Sequence, residues 1–260
     1  MKLRTLPLLL LLPCLSIAQE TVPTAAGDLA SADKMSTEAT STSAMPAFQA
    51  GILALKSERP LEAIGYLTRE LAAHPQNGKA WYYRGVCNAD VGDWKAALAD
   101  FDRALELMPD DANALLRRSD VHLANKSFDA AQNDLNTVLR RHQAGPIAEH
   151  ALMSLGELCM RQGDLAGAIV AYDRFIVIAP GDARSWFNRG IAHAHNNEHQ
   201  LAFEDLSKAI KLDGWMYKAY TSRAIELVHL DRRPEACSDL AKAKELGDDS
   251  VDELRTIYCE

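Results

Sequence analysis

Small residues recur along this chain at a nearly fixed interval. A first column contains Gly51, Gly85, Ser119, Gly156, Gly190 and Ala224, and a second, in phase with it, contains Ala63, Ala97, Ala131, Ala168, Ala202 and Ala236. The step is constant except between Ser119 and Gly156, where it is longer. A period of about 34 residues is typical of a solenoid, in which each unit buries its apolar face only against its neighbours. Such arrays mostly hold partners, so the period favours binding over bond chemistry.

Each period divides into two apolar stretches of helical spacing, separated by a short polar turn. The turns are Glu58-Arg59-Pro60, Val91-Gly92-Asp93, Asn125-Lys126-Ser127, Gln162-Gly163-Asp164, Asn196-Asn197-Glu198 and Asp231-Arg232-Arg233-Pro234. Periods end at His74-Pro75, Met108-Pro109, Ala179-Pro180 and Asp213-Gly214. Proline at these places cannot donate the hydrogen bond that would continue a helix. The pattern therefore predicts an all-α fold of paired helices.

The residues at fixed places in these periods resemble the tetratricopeptide repeat. The resemblance rests on the segment Trp81-Tyr82-Tyr83-Arg84-Gly85 with Ala97, Phe101, Ala104 and Pro109, and on two further copies around Gly156 and Gly190. It implies an α-solenoid of about six helix pairs, at residues 44–77, 78–111, 112–145, 149–182, 183–216 and 217–250, followed by a capping helix at 251–260. In this packing the small columns let the two helices of a pair approach closely.

The single longer step comes from three extra residues around Gly145-Pro146-Ile147. Two interpretations remain open. The extra residues are either a tolerated loop insertion, which costs little free energy, or a hinge where the superhelix changes direction.

Residues 1–18 have the pattern of a signal peptide. Lys2 and Arg4 precede a short apolar run, and Ser16-Ile17-Ala18 provides small residues for cleavage before Gln19. Two alternatives are an uncleaved membrane anchor and lipid attachment at Cys14, although Pro13 departs from the bacterial lipoprotein pattern. We therefore expect an exported protein, periplasmic or secreted, with an outer-membrane lipoprotein as the alternative.

Residues 19–43 are rich in Ser, Thr and Ala and are expected to form a disordered linker. Loss of Lys2 and Arg4 with the signal would change the formal charge from −8 to −10. A chain this acidic, with no dense run of Lys and Arg, is a poor partner for nucleic acid.

Four cysteines follow the signal. Cys87 and Cys159 fall inside first helices and are expected to be small buried apolar residues. Cys237 and Cys259 stand equally far from Asp248 on its two sides, so two antiparallel helices about that turn would bring their sulfurs to a similar height. We predict a disulfide that stabilises the capping helix by about 3 kcal/mol. Two free thiols are the alternative.

Catalytic signals are sparse. His193, His195, Glu198 and His199 form a metal-like cluster, but Asn196-Asn197 places a turn inside it. No phosphate-binding loop and no nucleophile elbow occurs, and the carboxylates are expected on solvated faces. We therefore predict no cofactor, no metal and no enzyme activity.

The first helices of this family line a concave surface, which is the predicted partner-binding site. One column contains Phe48, Tyr82, Leu116, Met153 and Phe187, and the residues one turn earlier are Lys79, Asn113, His150, Arg184 and Lys218. The Lys and Asn clamp that some members use for chaperone C-termini is absent here. The sequence thus predicts a non-catalytic scaffold that binds a protein or peptide. Two interpretations of the basic residues remain open, an acidic partner or charges at helix starts that are simply solvated. An accessory lipoprotein of an outer-membrane or secretion assembly is the alternative.

Overall fold

A computed structural model of the chain describes residues 45–259. The predicted signal peptide, the linker and the lipid attachment site at Cys14 all lie outside these residues. Within the described part, the secondary structure is helical and contains no strand. The prediction of an all-α solenoid is confirmed.

The chain divides into two compact units, residues 1–107 and 108–260. The described part of the first unit contains α1 (Ala47–Lys56), α2 (Pro60–Ala73), α3 (Gly78–Asp90) and α4 (Trp94–Leu107). The second contains α5 (Ala112–Ala124), α6 (Phe128–Arg141), α7 (Pro146–Gln162), α8 (Leu165–Ile178), α9 (Ala183–His195), α10 (His199–Leu212), α11 (Tyr217–His229), α12 (Arg233–Glu245), a 3₁₀ helix (Asp249–Val251) and α13 (Asp252–Cys259). Within each unit, consecutive helices pack against one another in antiparallel pairs.

The turn inside each pair uses the same backbone device. One residue, seven places after the first column, has a positive φ in every pair: Glu58, Gly92, Lys126, Gly163, Asn197 and Asp231. A left-handed residue ends a helix because it directs the chain out of the helical path. In two of the pairs the second helix then begins at an Asp cap: Asp93 accepts a hydrogen bond from the Ala96 amide, and Asp164 accepts one from the Gly167 amide. The observed breaks therefore fall at the turns that the sequence predicts.

The first column lies where the two helices of a pair cross. A Cβ added to Gly85 would stand 2.8 Å from the Phe101 ring, and one added to Gly156 would stand 2.3 Å from the Tyr172 ring. Both rings are almost fully buried. Since a methyl group needs more room than this, the two positions require glycine for the helices to approach.

Within residues 45–259, four aspartates are buried in ion pairs with arginine, which corrects the expectation of solvated acidic faces. Arg84 donates hydrogen bonds from Nε to Asp100 Oδ2 at 2.9 Å and from Nη2 to Asp100 Oδ1 at 2.7 Å, and Asp100 is only 3% exposed. The same fork, at the same sequence separation, joins Arg118 to Asp134, Arg189 to Asp205 and Arg223 to Asp239. Bidentate pairs of this kind satisfy the buried oxygens and fix the register of the first helix on the second.

The three extra residues near Gly145 lengthen a helix, so the first of the two interpretations, a loop insertion, is wrong, and the hinge stays a prediction. Helix α7 has 17 residues where α5 and α9 have 13, and three of the four added residues are at its N-terminal end. Gly145, with φ of 80°, precedes it, and Pro146 opens its first turn. Proline suits this position because its missing N–H would have no partner there. The insertion lengthens a first helix by one turn.

The C-terminal segment closes the second unit. Cys237 and Cys259 form a disulfide with their Cα atoms 5.6 Å apart, while Cys87 and Cys159 are free and buried. Val251 is fully buried in an apolar cluster with Leu227 and Leu240. The segment therefore covers apolar side chains that the last helix pair would otherwise expose.

Candidate functional site

The predicted anchors in the first unit are largely covered. Tyr82 is 5% exposed, with its ring 5.0 Å from that of Tyr83 and 6.1 Å from that of Phe101. Phe48 is half-buried and lies 6.1 Å from Tyr83. Lys79 is exposed. Tyr82 thus belongs to the packing between helices, and its ring offers little area to a partner.

In the second unit, the first helices lie side by side. His150 Nε2 on α7 is 3.3 Å from Asp120 Oδ2 on α5. Asn188 Nδ2 on α9 donates to Met153 Sδ on α7 at 3.0 Å. Helices α9 and α11 are also in contact. The residues that the sequence assigns to the inner column of α5, α7, α9 and α11 therefore follow one another across a continuous surface.

The α5 part of this surface is polar and internally paired. Leu116, a predicted anchor, is only 3% exposed. Asp120 is also approached by Arg117, at 3.8 Å, and by the Ser154 hydroxyl, which donates to Oδ1 at 3.4 Å. Since these charged groups already have partners inside the protein, they are less available to a ligand than the sequence suggests.

The part formed by α7, α9 and α11 is apolar and half-exposed. Four side chains make up this apolar strip: Met153, Phe187, Ile191 and Ile225, none of which is fully buried. Ile191 follows Phe187 by one helical turn, and Ile225 occupies the equivalent place on α11. An aromatic ring flanked by aliphatic groups with partial exposure is the usual composition of a binding anchor.

The predicted basic rim is smaller than the sequence suggests. Arg184 is held by its own helix cap, with Nε and Nη2 donating to Asp182 at 3.1 and 2.7 Å. Partial burial by itself would raise the pKa of Asp182, but hydrogen bonds from Arg184 more than offset this and lower it. Lys218 is half-buried, and no hydrogen bond or ion pair connects it to the rest of residues 45–259. Lys218 is therefore a cation of the predicted rim, on α11 like Ile225 of the apolar strip, that is available to a ligand.

The histidine cluster separates into different contacts. His193 Nδ1 lies 2.6 Å from Glu198 Oε2, and this hydrogen bond lowers the pKa of Glu198. His199 Nδ1 lies 2.7 Å from Glu226 Oε2, and its ring stacks on that of His229 at 4.2 Å. Across the described positions, no three His, Cys, Asp or Glu side chains converge in a way that could hold a metal.

Sequence reasoning missed the Arg–Asp pairs, although their signal is present. Each Arg stands immediately before a member of the first column, and each Asp follows its Arg at one fixed separation. The repetition of this spacing in four of the six pairs was the available clue.

In residues 45–259, no helix is both long enough and apolar enough to cross a bilayer.

Comparison with known proteins agrees with this geometry. The family model of the tetratricopeptide repeat matches residues 48–112, 88–131, 116–183 and 171–214. Sperm-associated antigen 1 of Rattus norvegicus is 35% identical over 91 residues, which are 35% of this chain and 10% of that protein. FlbA of Caulobacter vibrioides is 26% identical over 168 residues, or 53% of this chain and 28% of that protein. The chain thus spans well under half the length of these relatives.

Solved structures show the same fold. The C-terminal part of a repeat protein from Cytophaga hutchinsonii has a TM-score of 0.68 at 16% identity, with 80% of this chain and 82% of that one covered. YrrB, described as a repeat protein with an unusual peptide-binding site, has a TM-score of 0.59 at 18% identity, with 74% and 97% covered. Proteins of this family generally mediate protein–protein interactions and act as non-catalytic scaffolds. Because the matched segments extend over residues 48–214, more than half of the sequence, the chain belongs to the tetratricopeptide repeat family.

Proposed function

We propose that this protein is a non-catalytic scaffold that holds a segment of a protein partner on the apolar strip of its second unit. The single observation that carries the proposal is the half-exposed Phe187, flanked by Met153 and Ile191 on neighbouring parts of the inner surface. Partly exposed aromatic side chains contribute more binding energy than most other residues, since they bury a large area at low entropic cost.

The chemistry of the surface indicates the partner. An extended segment with an apolar side chain would cover Phe187, and an acidic side chain or terminal carboxylate in the same segment would reach Lys218. Lys218 is only half-buried, so its charge should act more on orientation and association rate than on affinity. Arg184 contributes less, because it is already paired with Asp182.

Site-specific photo-crosslinking tests this assignment in the native host. A photoreactive residue at Ile191 should crosslink a partner, and the same residue at Val177, which is 80% exposed on α8, serves as the control position. Adding Phe187→Ala should reduce the Ile191 adduct at least tenfold, because loss of an aromatic anchor costs about 2 kcal/mol or more. An Ile191 adduct of unchanged yield in the Phe187→Ala background would show that the strip is not the binding surface.

We also propose that the protein is exported. The Cys237–Cys259 disulfide supports this, since structural disulfides persist mainly outside the reducing cytoplasm. Fractionation and the mass of the mature N-terminus test the proposal. An N-terminus at Gln19 supports a soluble exported protein, and a lipidated Cys14 supports the envelope lipoprotein instead. An intact Met1 in a cytoplasmic fraction would contradict export.

A further inference from the structure

The C-terminal helix takes the place of a seventh first helix. It packs on α12 as α7, α9 and α11 each pack on the second helix before them. Leu254 stands one full period after Tyr220 and joins the same apolar cluster as Leu227 and Leu240. The contact between α12 and α13 is therefore a repeat-to-repeat interface in which a short helix replaces a complete helix pair.

Apart from the disulfide, helix α13 is held by Leu254 and by ion pairs near its start. It has eight residues, none of them buried, and isolated helices shorter than about 12 residues are marginal in water. Lys244 pairs with Asp249 at 2.8 Å and with Asp252 at 2.7 Å, but all three side chains are solvent-accessible. Exposed pairs of this kind contribute little. The covalent bond to Cys237 is the strongest tie between α13 and α12.

Helix α1, the first of the described helices, has an open outer face within residues 45–259. Leu53 on α1 is 45% exposed, although the residue at the same place in each later first helix is buried. These equivalents are Cys87, Val121, Leu158, Ala192 and Glu226, each no more than 4% exposed. In each later pair, the first helix buries this face. Within residues 45–259, the same face of α1 is apolar and uncovered.

We propose that the disulfide is a redox latch: when it is reduced, α13 leaves α12, and the uncovered face binds α1 of a second copy. We assign α1 as the helix that binds there because the contact would continue the repeat-to-repeat interface. The face of α12 that α13 leaves is one that packs a first helix, and α1 is a first helix with no preceding pair in the described residues. The contact joins different faces of the two copies, so it is heterologous and can repeat from copy to copy.

The redox step requires a dithiol reductant. One of its thiolates attacks Sγ of Cys259, an exposed residue, which breaks the Cys237–Cys259 bond and releases the Cys237 thiolate. The second thiol of the reductant then attacks the mixed disulfide, releases Cys259 and leaves as a cyclic disulfide. Two electrons and two protons pass from the dithiol to the two cysteines.

Sedimentation of the purified chain over a concentration series tests the latch. The oxidised protein should remain monomeric. Dithiothreitol, or the variant Cys237→Ser/Cys259→Ser, should at least double the weight-average mass at the highest concentrations. Adding Leu53→Glu should abolish this increase, and Cys159→Ser, which alters a free thiol, should respond as the unmodified chain does.

Hydrogen exchange provides a second measurement that does not depend on a variant's folding. Amides of residues 252–259 should exchange at least tenfold faster after reduction of the unmodified chain. Unchanged exchange, a reduced protein that stays monomeric, or association that persists with Leu53→Glu would each overturn the proposal.

Discussion

The crossing of α7 and α8 gives a sharp test of why the first column is small. Gly156→Ala would place a methyl carbon 2.3 Å from Cε1 and 2.4 Å from Cζ of Tyr172. The ring is 2% exposed, and its burial raises the pKa of the Tyr172 hydroxyl. Because the ring is enclosed, the two helices must separate to relieve the overlap.

The expected magnitude is the difference between two opposing effects. Overpacking a buried site costs about 1–3 kcal/mol, whereas alanine is favoured over glycine in a helix by about 1 kcal/mol. Gly65→Ala on α2 is the matched control, because a Cβ there has no neighbour within 4 Å. We therefore expect Gly65→Ala to stabilise by up to about 1 kcal/mol. Gly156→Ala should be about 1–3 kcal/mol less stable than this control variant.

Urea unfolding followed by circular dichroism measures both variants, with hydrogen exchange to localise the effect if the array unfolds in stages. The double variant Gly156→Ala/Tyr172→Leu should recover much of the loss, because Ala224 already faces Leu240 in the last pair. If Gly156→Ala stabilises the protein as much as Gly65→Ala does, the crossing is not held by glycine and the packing argument fails.

Two further predictions concern charges. Arg84→Met leaves Asp100 buried without its main partner and should lower the free energy of unfolding, measured in urea, by about 3–5 kcal/mol. The double variant Arg84→Met/Asp100→Leu should recover most of this loss. Equal losses in the two variants would contradict the assignment of the pair. The second prediction concerns Asp182, whose pKa is lowered because hydrogen bonds from Arg184 outweigh the effect of its burial. Its negative charge therefore stabilises the fold at pH values above the ordinary carboxyl pKa of about 4. This stabilisation is lost as the pH falls and the carboxylate is protonated. Asp182→Asn should therefore lower stability at pH 7 by less than about 1 kcal/mol, since Arg184 is largely solvent-exposed, and the difference should vanish near pH 2; a constant difference across this range would point to capping alone.

The helix pairs were predictable because every level of the sequence agrees on them. Small residues mark the crossings, and the breaks fall at residues such as Gly92 and Gly163 that have a positive φ. The same device at Lys126 is harder to recognise, since a lysine gives no local sign of left-handed geometry. Only its place, seven positions after Ser119, identifies it.

The binding surface was less predictable because helical spacing gives the direction of a side chain but not what covers it. Tyr82 and Phe187 occupy equivalent places, yet the Tyr82 ring packs near Tyr83 and Phe101 and is nearly buried. The pair before Phe187 places Met153 beside its helix, and Phe187 keeps part of its ring exposed. Local neighbours, which a single column does not encode, decide which anchors reach solvent.

The column rule also explains why α13 suits the role of a cap. A second helix can pack on a first helix only where the crossing residue is small, because at Gly85 even a methyl group would stand 2.8 Å from the Phe101 ring. The next place in this column, one full period after Ala224, is Tyr258. A tyrosine at the crossing would hold a second helix too far away to bury its apolar face. Helix α13 can therefore close an interface, but it is poorly suited to receive a second helix of its own. The covalent bond that keeps it on α12 is made by the neighbouring Cys259.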